Sequence, residues 1–170
     1  MSKPQLYLMV GYPGAGKTTA ARWITEATGA VHLWADVERH KMFDNPCHTE
    51  AESRQLYDHL NQKAEELLAT GKSVIFDTNF NYYRDRQLLR DIAARNDAEA
   101  TVVWVATPAD IARERAVHAN VVRNGYDFAM TPDQFQAIAG NLEPPRENEK
   151  TIKIDGTKLD RDALLRLIGA

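Results

Sequence analysis

Short apolar runs alternate along the chain with longer stretches of mixed polarity. The first run, Gln5 to Val10 (QLYLMV), is almost unbroken and stops at Gly11, the pattern of a strand buried on both faces of a parallel sheet. Similar runs recur at residues 31–34, 73–76, 101–106 and 151–154, and the stretches between them read as helices. That alternation predicts an α/β architecture with parallel strands.

Local signals place several helix ends. Thr49 with Glu52 has the spacing of a capping box, Leu56, Leu60, Ala64, Leu67 and Leu68 follow helical periodicity, and Gly71 can close the end in αL geometry. This should be the longest helix. Thr107 before Pro108, and Thr131 before Pro132 with Gln134, each put an N-cap ahead of a proline at the first helical position. The polar segment NLEPPRENEK at residues 141–150 predicts a loop into the last strand, followed by a helix around residues 159–168. No repeat or low-complexity tract divides the chain, so a single domain over residues 1–170 is expected.

Composition narrows the function classes. With 170 residues, 44% hydrophobic and 26% charged, the chain can build a sizeable core. Its net charge of −3 gives no bulk positive field to draw it onto nucleic acid or anionic lipid, so any basic site must be local. The apolar runs are far shorter than the roughly 18 to 20 residues that span a bilayer. The N-terminal run continues into a glycine-rich loop, not a small-residue cleavage site, so no secretory leader is expected. Cys47 is the only cysteine, which excludes an internal disulfide framework and fits a reducing compartment, by default the cytoplasm. Histidines 32, 40, 48, 59 and 118 lack zinc-site spacing and read as structural or surface residues. The tryptophans, Trp23, Trp34 and Trp104, together with Phe76 and Phe80, read as core.

The strongest chemical signal is Gly11-Tyr12-Pro13-Gly14-Ala15-Gly16-Lys17-Thr18, which matches G-x-x-x-x-G-K-[ST] between a predicted strand and a predicted helix. Such a loop converges backbone N–H groups on an anion, and the following helix adds its positive end. Gly11, Gly14, Ala15, Gly16, Lys17, Thr18 and Thr19 are therefore the candidate nucleotide-binding residues, with Lys17 reaching the β and γ phosphates and Thr18 offering a hydroxyl to Mg²⁺. Asp77 ends the buried run Val74-Ile75-Phe76, where a strand beside the loop can hold the Mg²⁺ shell. Asp36 and Arg39, three apart after the run at residues 31–34, could share a helix face. The carboxylate could then take the proton of an attacking hydroxyl and the guanidinium orient the acceptor. Arg113, Arg115 and Arg123 cluster in one predicted helix and its exit, where a lid could deliver them to the charge that develops in phosphoryl transfer.

These residues resemble the small P-loop kinases grouped with the kinase domain of phage polynucleotide kinase, a set also similar to zeta toxins and chloramphenicol phosphotransferase. The resemblance rests on GYPGAGKTT at Gly11 to Thr19, Asp36-x-x-Arg39, VIFDTNFN at residues 74–81, the arginine-bearing helix, and Glu143-Pro144-Pro145. It implies a three-layer α/β/α fold with a five-stranded parallel sheet of kinase-type order and a mobile helical lid. It also implies Asp36 as general base, Arg39 at the acceptor, and Asp77 near acceptor and metal, with Lys17, Arg115 and Arg123 as further catalytic residues. The family's lid carries two arginines four residues apart, whereas Arg115 and Arg123 are eight apart here and Arg113 competes for the first place.

The expectation is thus an ATP- and Mg²⁺-dependent transfer of the γ phosphate to a hydroxyl acceptor, a polynucleotide 5′-OH or a small molecule. Its rivals are a nucleoside or nucleotide kinase and a nucleotide-dependent switch acting through a protein partner. The acceptor and the oligomeric state are left open by the sequence.

Overall fold

A computed structural model describes residues 2–79, 82–118, 122–123, 126–127 and 130–170, with backbone alone at 122–123 and 126–127. Phe80 and Asn81, the end of the VIFDTNFN run, lie outside the described residues.

The elements follow the predicted alternation: β1 (Gln5–Val10), α1 (Lys17–Thr28), β2 (Val31–Trp34), α2 (Ala35–Met42), α3 (Glu50–Ala69), β3 (Val74–Asp77), α4 (Tyr83–Arg95), β4 (Glu99–Ala106), α5 (Ala109–Val117), the short strands β5 (Val122–Arg123) and β6 (Tyr126–Asp127), α6 (Pro132–Ala139), β7 (Thr151–Asp155) and α7 (Arg161–Leu167). Five strands form one parallel sheet in the order β2-β3-β1-β4-β7, while β5 and β6 pair antiparallel apart from it.

Strand β1 lies at the centre, and its period-2 side chains divide the core. Leu6, Leu8 and Val10 pack with Leu56, Leu60 and Leu68 of α3 and Leu89 and Ile92 of α4. Tyr7 and Met9 face the other way, onto Ala20, Ala21 and Ile24 of α1 and Leu164 of α7. The result is the three-layer α/β/α sandwich that an unbroken apolar β1 requires, since neither face of it can meet water. Because β1 pairs with β3 on one side and β4 on the other, the chain's direction across the sheet reverses there, and the carboxyl ends of β1 and β3 open a crevice at the switch point.

Most helix ends behave as predicted. Thr131 and Gln134 form a complete capping box with Pro132 in the first turn, and Gly71, at φ 82°, closes α3 with N–H bonds from Gly71 and Lys72 to Leu68 and Leu67. Two ends differ. Thr107 does not cap α5, which takes Pro108 as N-cap; its hydroxyl donates instead to the carbonyl of Ala15, 2.8 Å away, and so ties the end of β4 to the glycine-rich loop. Thr49 does accept from the Glu52 N–H, but the Glu52 carboxylate is not returned to Thr49, because it is engaged elsewhere.

Candidate active site

The loop between β1 and α1 wraps the helix's N-terminus, and the backbone dictates its glycines. Gly14 has φ 82° and lies against the Ala112 carbonyl of α5, so a Cβ there would be strained and would also clash. Gly16, the N-cap of α1, sits at φ 111° with no side-chain cap, leaving the first-turn N–H groups of α1 directed at the loop's concavity. The Lys17 ammonium folds over this loop, 2.9 Å from the Gly11 carbonyl and 3.0 Å from that of Tyr12.

A cleft of about 810 Å³ opens beside the loop. Of the predicted nucleotide-binding residues, Gly14, Gly16, Lys17, Thr18 and Thr19 line it. Gly11 and Ala15 lie behind: Ala15 is fully buried, its N–H donates to Tyr12 and its carbonyl accepts from Thr107. Asp36, Arg39, Asp77 and Arg115 line the same cleft. The structure therefore brings one carboxylate from β3, one from the start of α2 and four cationic side chains, Lys17, Arg22, Arg39 and Arg115, to one space, from four separate chain segments.

Asp77 is buried and accepts from the Thr18 hydroxyl at 3.0 Å. Its other partner was not visible in the sequence: His32 Nε2 lies 2.8 Å from the same carboxylate oxygen, so the ring donates from Nε2. His32 and Trp34 are two apart on β2 and project from one face beside β3. Their rings stack at 5.3 Å and 6°, and the Arg22 guanidinium lies 5.3 Å over the Trp34 ring. Trp34, read from the sequence as core, is a wall of the cleft.

Arg39 does not pair with Asp36. Its Nη1 donates to Glu52 Oε1 at 2.5 Å and its Nη2 to Ser53 at 3.2 Å, with both charged groups buried. Glu52 also accepts from the N–H groups of Cys47 at 2.8 Å and His48 at 3.3 Å and from the Cys47 thiol. These bonds, led by that from the Cys47 N–H, hold its carboxyl down at about 2. Glu52, legible in the sequence only as a capping residue, is the anchor that fixes the α2–α3 corner.

A pH consequence follows. Because the folded value lies below the ordinary one, Glu52 stabilises the fold above about pH 4.5 and loses that contribution as pH falls towards 2. Urea midpoints measured from pH 5 to 2 should fall less steeply in Glu52→Gln than in wild type, since the amide cannot titrate.

Asp36 reaches solvent through the cleft, yet its carboxyl is pushed up from the ordinary value by desolvation first and by the Asp77 charge second. Lys17, Arg39 and His48 oppose that shift. Burial and the neighbouring Arg39 charge in turn push His48 down, leaving it neutral at pH 7.

Of the arginines near the loop, Arg113 is exposed outside the cleft, whereas Arg115 lines it, donating to the Gly156 carbonyl at 2.9 Å and approaching that of Gly14 at 3.5 Å. Arg123 falls in β5, and its side chain lies outside the described residues. Among the described residues no helix is long and apolar enough to cross a membrane, and no cluster of three or more His, Cys, Asp or Glu could hold a metal.

Comparison with known proteins bears on the family and the fold. A family profile described as an AAA domain matches residues 6–145. The uncharacterized protein Rv2004c of Mycobacterium tuberculosis is 27% identical over 147 residues, 79% of this chain, and the chain spans only 29% of that relative's length. Among solved structures, the APS kinase CysC of Mycobacterium tuberculosis, in complex with AMPPNP and APS, superposes with a TM-score of 0.72 at 18% identity over 99% of this chain and 98% of that one. A chain of the Pnkp1/Rnl/Hen1 RNA repair complex does so with a TM-score of 0.68 at 19% identity, over 84% of this chain and 45% of that one. This chain belongs to the AAA-domain family, and its fold is that of the small P-loop kinases.

Proposed function

We propose that this chain is an ATP-dependent, Mg²⁺-requiring phosphotransferase whose acceptor is a hydroxyl group. One observation carries the reading: Asp36, a carboxylate with raised proton affinity, opens into the same cleft as Lys17, Thr18 and Asp77. A kinase uses a carboxylate there to receive the proton of the acceptor hydroxyl.

In the proposed step the acceptor oxygen bonds to the γ phosphorus, the bond from that phosphorus to the bridging oxygen of ADP breaks, and the hydroxyl proton passes to Asp36. The loop N–H groups at Gly14 and Gly16 and the N-terminus of α1 bind the phosphates. Lys17, drawn off the loop carbonyls, and Arg115, poised at Gly14, offset charge as it spreads over the transferring oxygens. Arg39, held by Glu52, lines the acceptor side. The Thr18 hydroxyl and the Asp77 carboxylate are hard oxygen donors of the kind Mg²⁺ takes, and their 3.0 Å contact fits them to share one ion. Bound there, Mg²⁺ supplies neutralisation of the β and γ phosphate charge. His32 keeps the Asp77 carboxylate aimed. The chain acts as one P-loop kinase domain, and its single cysteine suits the cytoplasm.

The test is transfer of labelled γ phosphate from ATP with Mg²⁺ to a mixed panel of hydroxyl compounds. Label appearing on an acceptor is the expected result. Slow phosphate release with no labelled acceptor in any arm would overturn the kinase reading in favour of a switch.

A further inference from the structure

Cations in the cleft are already committed before an acceptor arrives. Lys17 and Arg115 sit on the glycine-rich loop, on the side where phosphates of the donor bind. Arg22 lies over the Trp34 ring at the rim. On the acceptor side the one arginine among the described residues, Arg39, is cancelled by Glu52, and three further hydrogen bonds keep that carboxylate from swinging away to release it. His48 contributes no charge at neutral pH. What is left on that side is the Asp36 carboxylate, since Asp77 is bonded to Thr18 and His32.

The remaining acceptor wall is uncharged and partly aromatic: Trp34, Ser53, Tyr57, Asn79, Tyr82 and Asn141. Amide and hydroxyl groups there can bond hydroxyls, and ring faces can cover the apolar side of a small molecule or a cation. An anionic acceptor would enter a region whose net charge is negative, with its desolvation uncompensated. This balance is that of the described residues. The volume, about 810 Å³ for donor and acceptor together, is that of a small-molecule site.

We infer that the acceptor is a small hydroxyl compound bearing no negative charge, a neutral polyol or an amino alcohol, and not a phosphorylated, sulfated or carboxylated compound or a polynucleotide end. The inference rests on the phosphotransferase reading above and narrows its acceptor. Specificity then comes from Glu52, which switches off the arginine that an anion would need, and Asp36 serves both as proton acceptor and as the charge that repels anions.

Two measurements test it. In the first, wild-type protein with Mg²⁺ and γ-labelled ATP is offered inositol, hexoses, choline and aminoglycosides in one set of arms. Gluconate, glycerol 3-phosphate, a nucleoside 3′-phosphate and a 5′-hydroxyl oligonucleotide form the other set. The expected result is a kcat/KM at least a hundredfold higher in the best non-anionic arm than in any anionic one. Comparable labelling of an anionic member overturns the inference and leaves the kinase reading standing; ATP hydrolysis with no label anywhere overturns both. In the second, glycerol 3-phosphate is titrated calorimetrically into protein saturated with Mg²⁺ and AMPPNP. Glu52→Gln, checked for fold by circular dichroism, should bind it at least tenfold more tightly than wild type because Arg39 is no longer cancelled. Equal affinity in a folded variant overturns the inference, and if the variant does not fold the wild-type panel decides.

Discussion

Replacing Asp36 with asparagine should slow phosphate transfer by about 10²- to 10⁴-fold, the usual worth of a positioned general base, while Mg²⁺-ATP binding stays within about twofold of wild type. The amide keeps the shape of the side chain, so the cleft between α2 and the glycine-rich loop should not collapse, but it cannot receive the acceptor's proton. The same change should leave the melting temperature equal or higher. Desolvation, with the Asp77 charge adding to it, raises the folded-state value of Asp36 above its unfolded one. Folding therefore favours the protonated form, the group's stabilising contribution is present below the unfolded value, and it is lost as pH rises through the folded one. At pH 7 the ionised carboxylate opposes folding, and an uncharged replacement relieves that opposition. A loss of activity without a loss of stability marks a residue kept for chemistry. In wild type the acid limb of kcat/KM should have its midpoint above the ordinary carboxylate value of about 3.9, and it should vanish from the residual activity of the variant. Unchanged transfer would remove Asp36 from the base role, and a simultaneous fall in melting temperature would mean the side chain is structural.

How far this site could be read from the sequence depends on whether each residue's partner is close along the chain. The strand β1, the glycine-rich loop and the helix after it form one contiguous signal, because burial on both faces, positive φ and a helix N-terminus each demand particular residues at fixed offsets. Asp77 was legible for a similar reason: a carboxylate at the end of an apolar strand stands out. The partners of these residues were not. Glu52 is 13 positions from Arg39, and its local spacing to Thr49 gave a sufficient capping explanation that concealed the ion pair. His32 is 45 positions from Asp77, and only the order of strands in the sheet brings them together. Thr107 illustrates the same limit from the other side: its local pattern favours an N-cap, but the Ala15 carbonyl, 92 positions away, takes its hydroxyl. Local rules describe what a side chain could do alone, and tertiary contacts decide which of those options it takes.

The loop NLEPPRENEK is the case in which this matters most for stability. Read from the sequence, it is a polar, proline-broken loop leading to the last strand. In the fold its Glu149 pairs with Arg86 of α4, Nε to Oε1 at 2.7 Å and Nη2 to Oε2 at 3.1 Å, and both side chains are fully buried. Burial alone would raise the Glu149 carboxyl, but the bonds from Arg86 and from the Arg146 N–H, 2.7 Å away, hold it below its ordinary value. Glu143 accepts from the Tyr83 N–H at the start of α4, and the Arg146 guanidinium lies 3.8 Å over the Tyr83 ring. The loop is thus fastened along α4, whose first turn follows the cleft residue Tyr82. Arg86→Met should cost about 3–5 kcal/mol, because it takes the paired guanidinium from a buried carboxylate. For a chain of this length that corresponds to a fall of roughly 6–20 °C in melting temperature. The double variant Arg86→Met/Glu149→Leu removes that carboxylate as well and should recover part of the loss. Recovery should be incomplete, since the Arg146 N–H and the Pro144 carbonyl, which Arg86 reaches at 3.4 Å, lose their partners as well. Calorimetric unfolding of the single and double variants measures both effects. A single variant as stable as wild type would show that the ion pair is replaceable by apolar packing, and that the loop is held instead by Glu143 and the Tyr83 ring.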